Sequence, residues 1–368
     1  RYFNKITSLS DIYKFSVPEL ERIIPLEFAS ITPFVSRYTE GINGETITKY
    51  TKKWFELLHL TFTDVRFNEE LINNFKIETI QIYNNTKNQN STKFQIKLTD
   101  ELYNNHPRKK SLTDKDISKI NIQDIKNIYK ERFSDASDFY FIIVGDFKYK
   151  EILPYIKKYI GSLPSTFNNE YYVDRNIRSN KGKGVVIQAD ENPIKTTEYR
   201  FYNREFSNKT KDRVTYNLLI DILDKMLFDS IREEQNLVYS IGAGSYFNRS
   251  YPENNLSMMI FYSGEPSNVK KINLGIDKIL NQITHGQFDK KTFEEKKIGM
   301  LDEYNGAILA NSFWLESIDK FLLNKEPLER IEYIDDIIKS ININDITRLA
   351  KKIFKNDKYI QASLLEKD

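Results

Sequence analysis

Ile120-Asn-Ile-Gln-Asp-Ile-Lys-Asn-Ile-Tyr-Lys-Glu-Arg-Phe133 recurs as Ile341-Asn-Ile-Asn-Asp-Ile-Thr-Arg-Leu-Ala-Lys-Lys-Ile-Phe354, with seven of fourteen positions identical at an offset of 221 residues. Each copy reads as a helix capped by an asparagine, Asn121 or Asn342. Asp124 or Asp345 follows three residues on, a variant of the capping box in which side chain and backbone satisfy each other's orphan groups. Each copy then runs into an apolar strand, Phe139-Tyr-Phe-Ile-Ile-Val144 in the first and Tyr359-Ile-Gln-Ala-Ser-Leu-Leu365 in the second. Two caps can agree by chance, but agreement through helix, turn and strand argues for common architecture. The repeat is too long for a solenoid unit and suits two copies of one domain.

Working outward, the second copy opens with strands at Gly184–Gln188 and Thr196–Phe201. A helix follows from about Lys211 to Glu234. Its Leu219, Ile222, Leu223, Met226 and Leu227 recur at three- and four-residue spacing and form one buried stripe. Strands at Val238–Tyr246 and Leu256–Tyr262 and helices at Val269–Thr284 and Lys290–Leu309 complete the order before the capped helix. The first copy shows part of that order: a strand at Ser30–Arg37, a turn at Gly41-Ile-Asn-Gly44, and helices at Thr46–His59 and Asn68–Asn84. Residues 166–183 hold Asn-Asn, Arg-Ser-Asn and Lys-Gly-Lys-Gly and read as a linker. The expected organisation is therefore a first domain over 1–165, a linker over 166–183 and a second domain over 184–368. Each domain is α+β, a mostly antiparallel sheet with helices packed on one face. The opening Arg1-Tyr-Phe-Asn-Lys5 is no start of a natural chain, so a fragment of a longer protein is expected and the missing leader says nothing about location.

Composition excludes several function classes. The 368 residues carry 55 basic and 52 acidic side chains, a net charge of +3, which gives no electrostatic case for nucleic acid or an anionic membrane. No apolar run approaches a membrane span. The absence of cysteine excludes disulfides, thiolate zinc sites and cysteine nucleophiles together. Of the three histidines, none has a second within a helical turn, and neither His-x-x-Glu-His nor its inverse occurs, so no metal site is expected in this chain. His59 reads as a core or rim residue, His106 as part of a turn and His285 as a helix cap. No Gly-x-Ser-x-Gly elbow exists. Gly242-Ala-Gly244 precedes no helix and reads as a strand that needs close backbone approach, not a phosphate loop.

One stretch carries positive chemistry. Ile231-Arg-Glu-Glu-Gln-Asn-Leu-Val-Tyr-Ser-Ile-Gly-Ala-Gly244 places Arg232 at the end of a long helix and Tyr239 at the start of the next strand. A helix end, a short turn and a strand start can bring both to one face. A guanidinium fork beside a phenolic hydroxyl can hold a peptide carbonyl or a developing oxyanion. The pair supplies no nucleophile and no metal, so it cannot cleave a peptide alone. The bland alternative is that an arginine in a last helical turn suits the macrodipole in any protein, and a tyrosine suits any strand.

Ile231-Arg-Glu-Glu-Gln-Asn-Leu-Val-Tyr-Ser240 resembles the Leu-Arg-Glu-Glu-x-x-Leu-x-Tyr-Ser segment of the pitrilysin/insulinase metallopeptidases. Asn105-His-Pro-Arg108 ahead of Thr113-Asp-Lys-Asp-Ile117, Tyr129–Asp146 leading into Ile160-Gly-Ser-Leu-Pro-Ser165, and Asn311-Ser-Phe-Trp-Leu315 agree with the C-terminal half of that family's bacterial long-chain zinc proteases. The resemblance covers nearly the whole chain. It implies a clamshell of two halves, each of two related α+β domains. Zinc and the general-base glutamate belong to the N-terminal half, and Arg232 and Tyr239 act on substrate from the C-terminal half. It also implies an N-terminal catalytic half as partner, unstructured peptides as substrates and, by the habit of bacterial relatives, a periplasmic location. The zinc half is absent from this chain, which leaves open a fragment of one protease, a stand-alone subunit that pairs with a zinc-bearing one, or a relative that binds without cleaving.

Overall fold

The computed structural model describes residues 2–23, 25, 28–167, 170–207, 209–249, 253–355 and 358–367. It resolves into two compact units, residues 1–86 with 112–173, and residues 87–111 with 174–368.

The first unit holds β1 (Asp11–Ile12), β2 (Ala29–Val35), β3 (Glu40–Thr46) and β4 (Val65–Arg66), paired antiparallel as β1–β4 and β2–β3. The hairpin turn is Ser36–Thr39, closed by Ser36 N–H donating to the Thr39 carbonyl at 2.7 Å. The turn expected at Gly41–Gly44 lies instead inside β3. Those glycines serve close approach: a Cβ on Gly44 would stand 2.7 Å from both the Ser30 carbonyl oxygen and the Trp54 ring, and one on Gly41 2.9 Å from the Phe34 ring. Because β3 runs to Thr46 and a short turn of 3-10 helix occupies Thr48–Tyr50, the helix expected from Thr46 starts at Thr51 and ends at Thr63. Its Phe55, Leu58 and Phe62 pack against Ile125, Tyr129 and Phe133 of the capped helix Ile122–Phe133. Tyr129 anchors the two helices through a hydroxyl donated to the Thr61 carbonyl at 2.5 Å. The expected strand Phe139–Val144 carries no ladder among the described residues.

The second unit is built on β5 (Gly184–Ala189), β6 (Lys195–Glu205), β7 (Val238–Arg249), β8 (Asn255–Gly264) and β9 (Ile360–Glu366) in the order β5-β9-β6-β8-β7. All neighbours are antiparallel except β5 and β9. Alternation along β6 and β8 divides the side chains between two faces. Tyr202, Met258, Ile260 and Tyr262 face the helices Thr210–Leu227, Val269–Thr284 and Ile343–Ile353. Leu218, Leu219, Ile222, Leu223 and Leu227 of the first of these are wholly buried, each contributing about 1.5–3 kcal/mol of apolar transfer. The charges on this face are partnered, as burial requires. Arg200 donates to Asp277 at 2.5 Å and to the Asn273 side chain at 2.8 Å, and Glu198 accepts from Ser363 and Gln361 at 3.1 Å each.

The opposite face of this sheet bears Val186, Phe201, Ile360, Ala362 and Leu364, covered by Phe94, Leu98 and Leu102. Those three recur every fourth residue on the helix Asn90–Leu102, within the residues 1–165 expected to form the first domain. Residues 87–111 thus pack with the second unit, because that stripe finds its apolar partner there. The change of unit between Val173 and Asp174 lies within the 166–183 stretch, where no described residue is helix or strand. The α+β class and the mostly antiparallel pairing are as the sequence indicated. Both asparagine caps form: the Asp124 N–H donates to Asn121 Oδ1 at 2.8 Å, and Asn342 and Asp345 bond reciprocally at 3.2 and 3.3 Å.

Candidate functional site

The α-helix Thr210–Leu227 passes directly into a π-helical turn, Phe228–Glu234. A π turn inserts one residue into the helical register and re-aims the side chains beyond it. Leu227 and Ile231 stay fully buried, while Arg232 stands exposed. The Arg232 guanidinium lies over the Phe228 ring, 5.2 Å from its centroid, a contact that orients the side chain without using its N–H donors. The nearby Asp229 carboxylate is engaged by Lys225 at 2.7 Å, a bond that lifts the lysine above its ordinary range. No carboxylate among the described residues lies within ion-pair distance of Arg232.

The chain reverses at Asn236, whose φ of 49° is the left-handed conformation that asparagine tolerates at a helix end. Its N–H donates to the Arg232 carbonyl at 3.0 Å, and the Leu237 N–H donates to Ile231 at 3.2 Å. β7 then begins with a bulge. Val238 pairs with Gly264 and Ser240 with Ser263, so Tyr239 is the extra residue and is 57% exposed. A bulge re-aims one side chain while leaving its neighbours in register. The structure therefore places Arg232 and Tyr239, both solvent-facing, at the two ends of one short connection tied by backbone hydrogen bonds.

Sequence reasoning missed Asp224. Its Oδ1 accepts the Ala243 N–H of β7 at 2.9 Å, fastening the helix that carries Arg232 to the strand that carries Tyr239. Gly242 permits that approach: a Cβ there would meet Asp224 Oδ1 at 2.9 Å and the Phe261 ring at 3.0 Å. The close-approach reading of Gly242-Ala-Gly244 thus applies to Gly242. Nothing stands within 4 Å of a Cβ on Gly244, so it does not apply there. The only sequence signal for Asp224 was a carboxylate set beside the apolar stripe of Leu223 and Leu227.

The histidines are engaged elsewhere. His59 Nδ1 meets the Tyr159 carbonyl at 2.9 Å, His106 Nε2 the Arg175 carbonyl at 3.0 Å, and His285 Nδ1 the Asn281 carbonyl at 2.8 Å at its helix end. No group of three His, Asp or Glu among the described residues could hold a metal ion.

Residues 119–300, which include Arg232 and Tyr239, match the family described as the peptidase M16 inactive domain. The chain is 19% identical over 237 residues to the probable zinc protease PqqL of Haemophilus influenzae, a match to 62% of this chain and 24% of that protein. It thus spans about a quarter of that relative's length. Its fold superposes on the periplasmic protease PqqL of Escherichia coli with a TM-score of 0.85 at 15% identity, over 99% of this chain and 40% of the other. It also superposes on the peptidase M16 inactive domain from Pseudomonas fluorescens with a TM-score of 0.77 at 13% identity, over 98% of this chain and 86% of that one. Residues 119–300 thus match the peptidase M16 inactive domain, and the chain is homologous to the PqqL zinc protease and shares the fold of M16 peptidase structures.

Proposed function

We propose that this chain is the noncatalytic C-terminal half of a zinc metalloendopeptidase, closing a chamber and contacting the backbone of unstructured peptide substrates. The zinc and the residues that hold it would belong to an N-terminal catalytic half outside residues 1–368. The observation that carries the reading is Arg232, exposed and unpaired by any described carboxylate, joined through a π turn, an asparagine turn and a bulge to the exposed Tyr239. A surface arginine held over an aromatic ring with its donors free suits a carbonyl or an oxyanion, and the phenol at the other end of the connection would add a second donor. Both groups act on any peptide bond alike, so sequence preference would be loose. A periplasmic location would match the E. coli protease of similar fold.

The test uses the zinc-bearing half together with this chain and a quenched unstructured peptide. Arg232→Ala and Tyr239→Phe should each cut turnover about ten- to a thousand-fold, the range for losing one oxyanion donor. Full turnover in both variants would reject the assignment. A second reading is a separate subunit that binds peptides or a partner without taking part in cleavage. It requires that both substitutions leave every associated peptidase activity untouched.

A further inference from the structure

β5 and β7 are the two outer strands of the second unit's sheet, and their open edges differ. On β7 the Ala243 N–H is taken by Asp224 Oδ1 at 2.9 Å, and the register shifts twice, between Val238 and Ser240 and between Ser245 and Phe247. Such devices blunt an edge against further pairing. β5, Gly184-Val-Val-Ile-Gln-Ala189, runs in unbroken register with β9 and holds no charge, proline or bulge.

The parallel ladder decides which of its backbone groups are open. The Gly184 N–H donates to the Tyr359 carbonyl at 3.4 Å and the Asp190 N–H to the Leu365 carbonyl at 2.9 Å. Even-numbered residues thus turn their backbone groups toward β9, and Val185, Ile187 and Ala189 turn theirs outward. Lys97 Nζ lies 3.4 Å from the outward Ile187 carbonyl oxygen, but its shorter bond, 2.9 Å, goes to Gln188 Oε1.

The side chains alternate as the backbone does. Val186 is buried in the cluster under the helix Asn90–Leu102, whereas on the other face Val185 is 67% and Ile187 57% exposed. Lys183, Ala189 and Glu191 are exposed as well. Positions 183, 185, 187, 189 and 191 therefore read cation, apolar, apolar, apolar, anion. Reversed end for end, this stripe is its own complement. Among the described residues neither Lys183 nor Glu191 enters an ion pair.

We infer that β5 is a self-association edge, to which a second copy of this chain adds its own β5 antiparallel about a two-fold axis at Ile187. A two-fold perpendicular to the sheet joins like faces, so the exposed stripe of one copy meets that of the other. Ile187 then stands opposite its counterpart, Val185 opposite Ala189, and Lys183 opposite Glu191 at each end. The outward N–H and carbonyl groups of 185, 187 and 189 fall at the hydrogen-bonded positions of this register. An in-register parallel pair would instead set lysine beside lysine and glutamate beside glutamate, which repulsion disfavours. The matching of both charged ends within one sequence is what favours a second copy over an unrelated strand. A strand of 6 residues makes a small interface, so the dimer is weak.

Sedimentation velocity of the protein over roughly 1–300 µM brackets the micromolar affinity expected of so small an interface. A monomer–dimer equilibrium should appear. Ile187→Lys sets two ammonium groups face to face and should raise its Kd at least about tenfold. Lys183→Glu should raise it about threefold or more, and Lys183→Glu combined with Glu191→Lys should return it to the parent value. All three positions are exposed, and melting curves check that each variant folds. Amides of residues 184–190 should exchange more slowly as protein concentration rises. A monomer throughout, a dimer indifferent to Ile187→Lys, or an exchanged pair that binds no better than Lys183→Glu would overturn the pairing. So would a monomer whose 184–190 amides slow only on adding a peptic digest of casein, since the edge would then be a peptide groove.

Discussion

Asp224→Ala should loosen the corner that carries Arg232 and Tyr239. In the parent the Asp224 carboxylate accepts the Ala243 N–H at 2.9 Å, at a place where β7 is the outer strand of its sheet and has no neighbour among the described residues to take that donor. A hydrogen bond to a charged acceptor contributes about 1.5–3 kcal/mol, and a partly buried donor left without a partner costs about as much. A loss of about 2 kcal/mol is therefore expected for alanine. Asparagine keeps an oxygen at the same place and should lose about half of that. In a unit of this size each kcal/mol moves Tm by about 2–4 °C, so the alanine variant should melt about 4–8 °C lower in the transition of the second unit. Scanning calorimetry reads the shift, and hydrogen exchange at Ala243 reads the bond itself. A variant within about 0.5 kcal/mol of the parent, with the Ala243 amide as protected as before, would show that Asp224 does not fasten helix to strand.

Two other perturbations have directions set by the structure. Burial alone would raise the Glu326 carboxyl, but bonds from Arg213 at 2.6 Å and Thr210 at 2.5 Å hold it below the ordinary 4.5. Its stabilisation is thus intact above that pH and is lost as pH falls through the folded value. Glu326→Gln should be less stable than the parent at pH 7 and lose less on acidification to about pH 3, and parallel urea-unfolding curves would contradict this. Asn342→Ala should cost about 1 kcal/mol by removing a complete capping box. Asn121→Ala should cost a similar or smaller amount, since there the Asp124 carboxylate takes the asparagine side-chain amide at 2.6 Å. Urea midpoints of the two variants check the order.

The second unit was legible because its signals are local. Stripes at helical spacing, asparagine caps and alternating strands each name their element within a dozen residues, and the helix read as Lys211–Glu234 is one continuous run from Thr210 through the π turn. The errors fall where the deciding contact is remote. Gly41 and Gly44 look like turn residues until the Phe34 and Trp54 rings that need their bare backbone are in place. Phe94, Leu98 and Leu102 announce an amphipathic helix but not the sheet it covers. Phe139–Val144 reads as a strand from its composition, yet a ladder is a property of two segments. Asp224 escaped notice for the same reason, as its partner is a backbone amide nineteen residues on.

The site itself depends on two departures from regular structure that compensate each other. The π turn at Phe228–Glu234 adds a residue to the helix, and the bulge at Tyr239 adds one to the strand. Together, with Asn236 between them, they return Val238 and Ile241 to the buried face on schedule while Ile231 stays wholly buried. Gly275 helps to keep it there, since a Cβ at that position would press on Ile231 Cδ1 at 3.3 Å. The core thus sees an uninterrupted apolar surface, and the irregularity is confined to the exposed side, where Arg232 and Tyr239 emerge. The π turn and the bulge leave Arg232 and Tyr239 exposed at the two ends of one turn, the placement on which the proposed substrate contact rests.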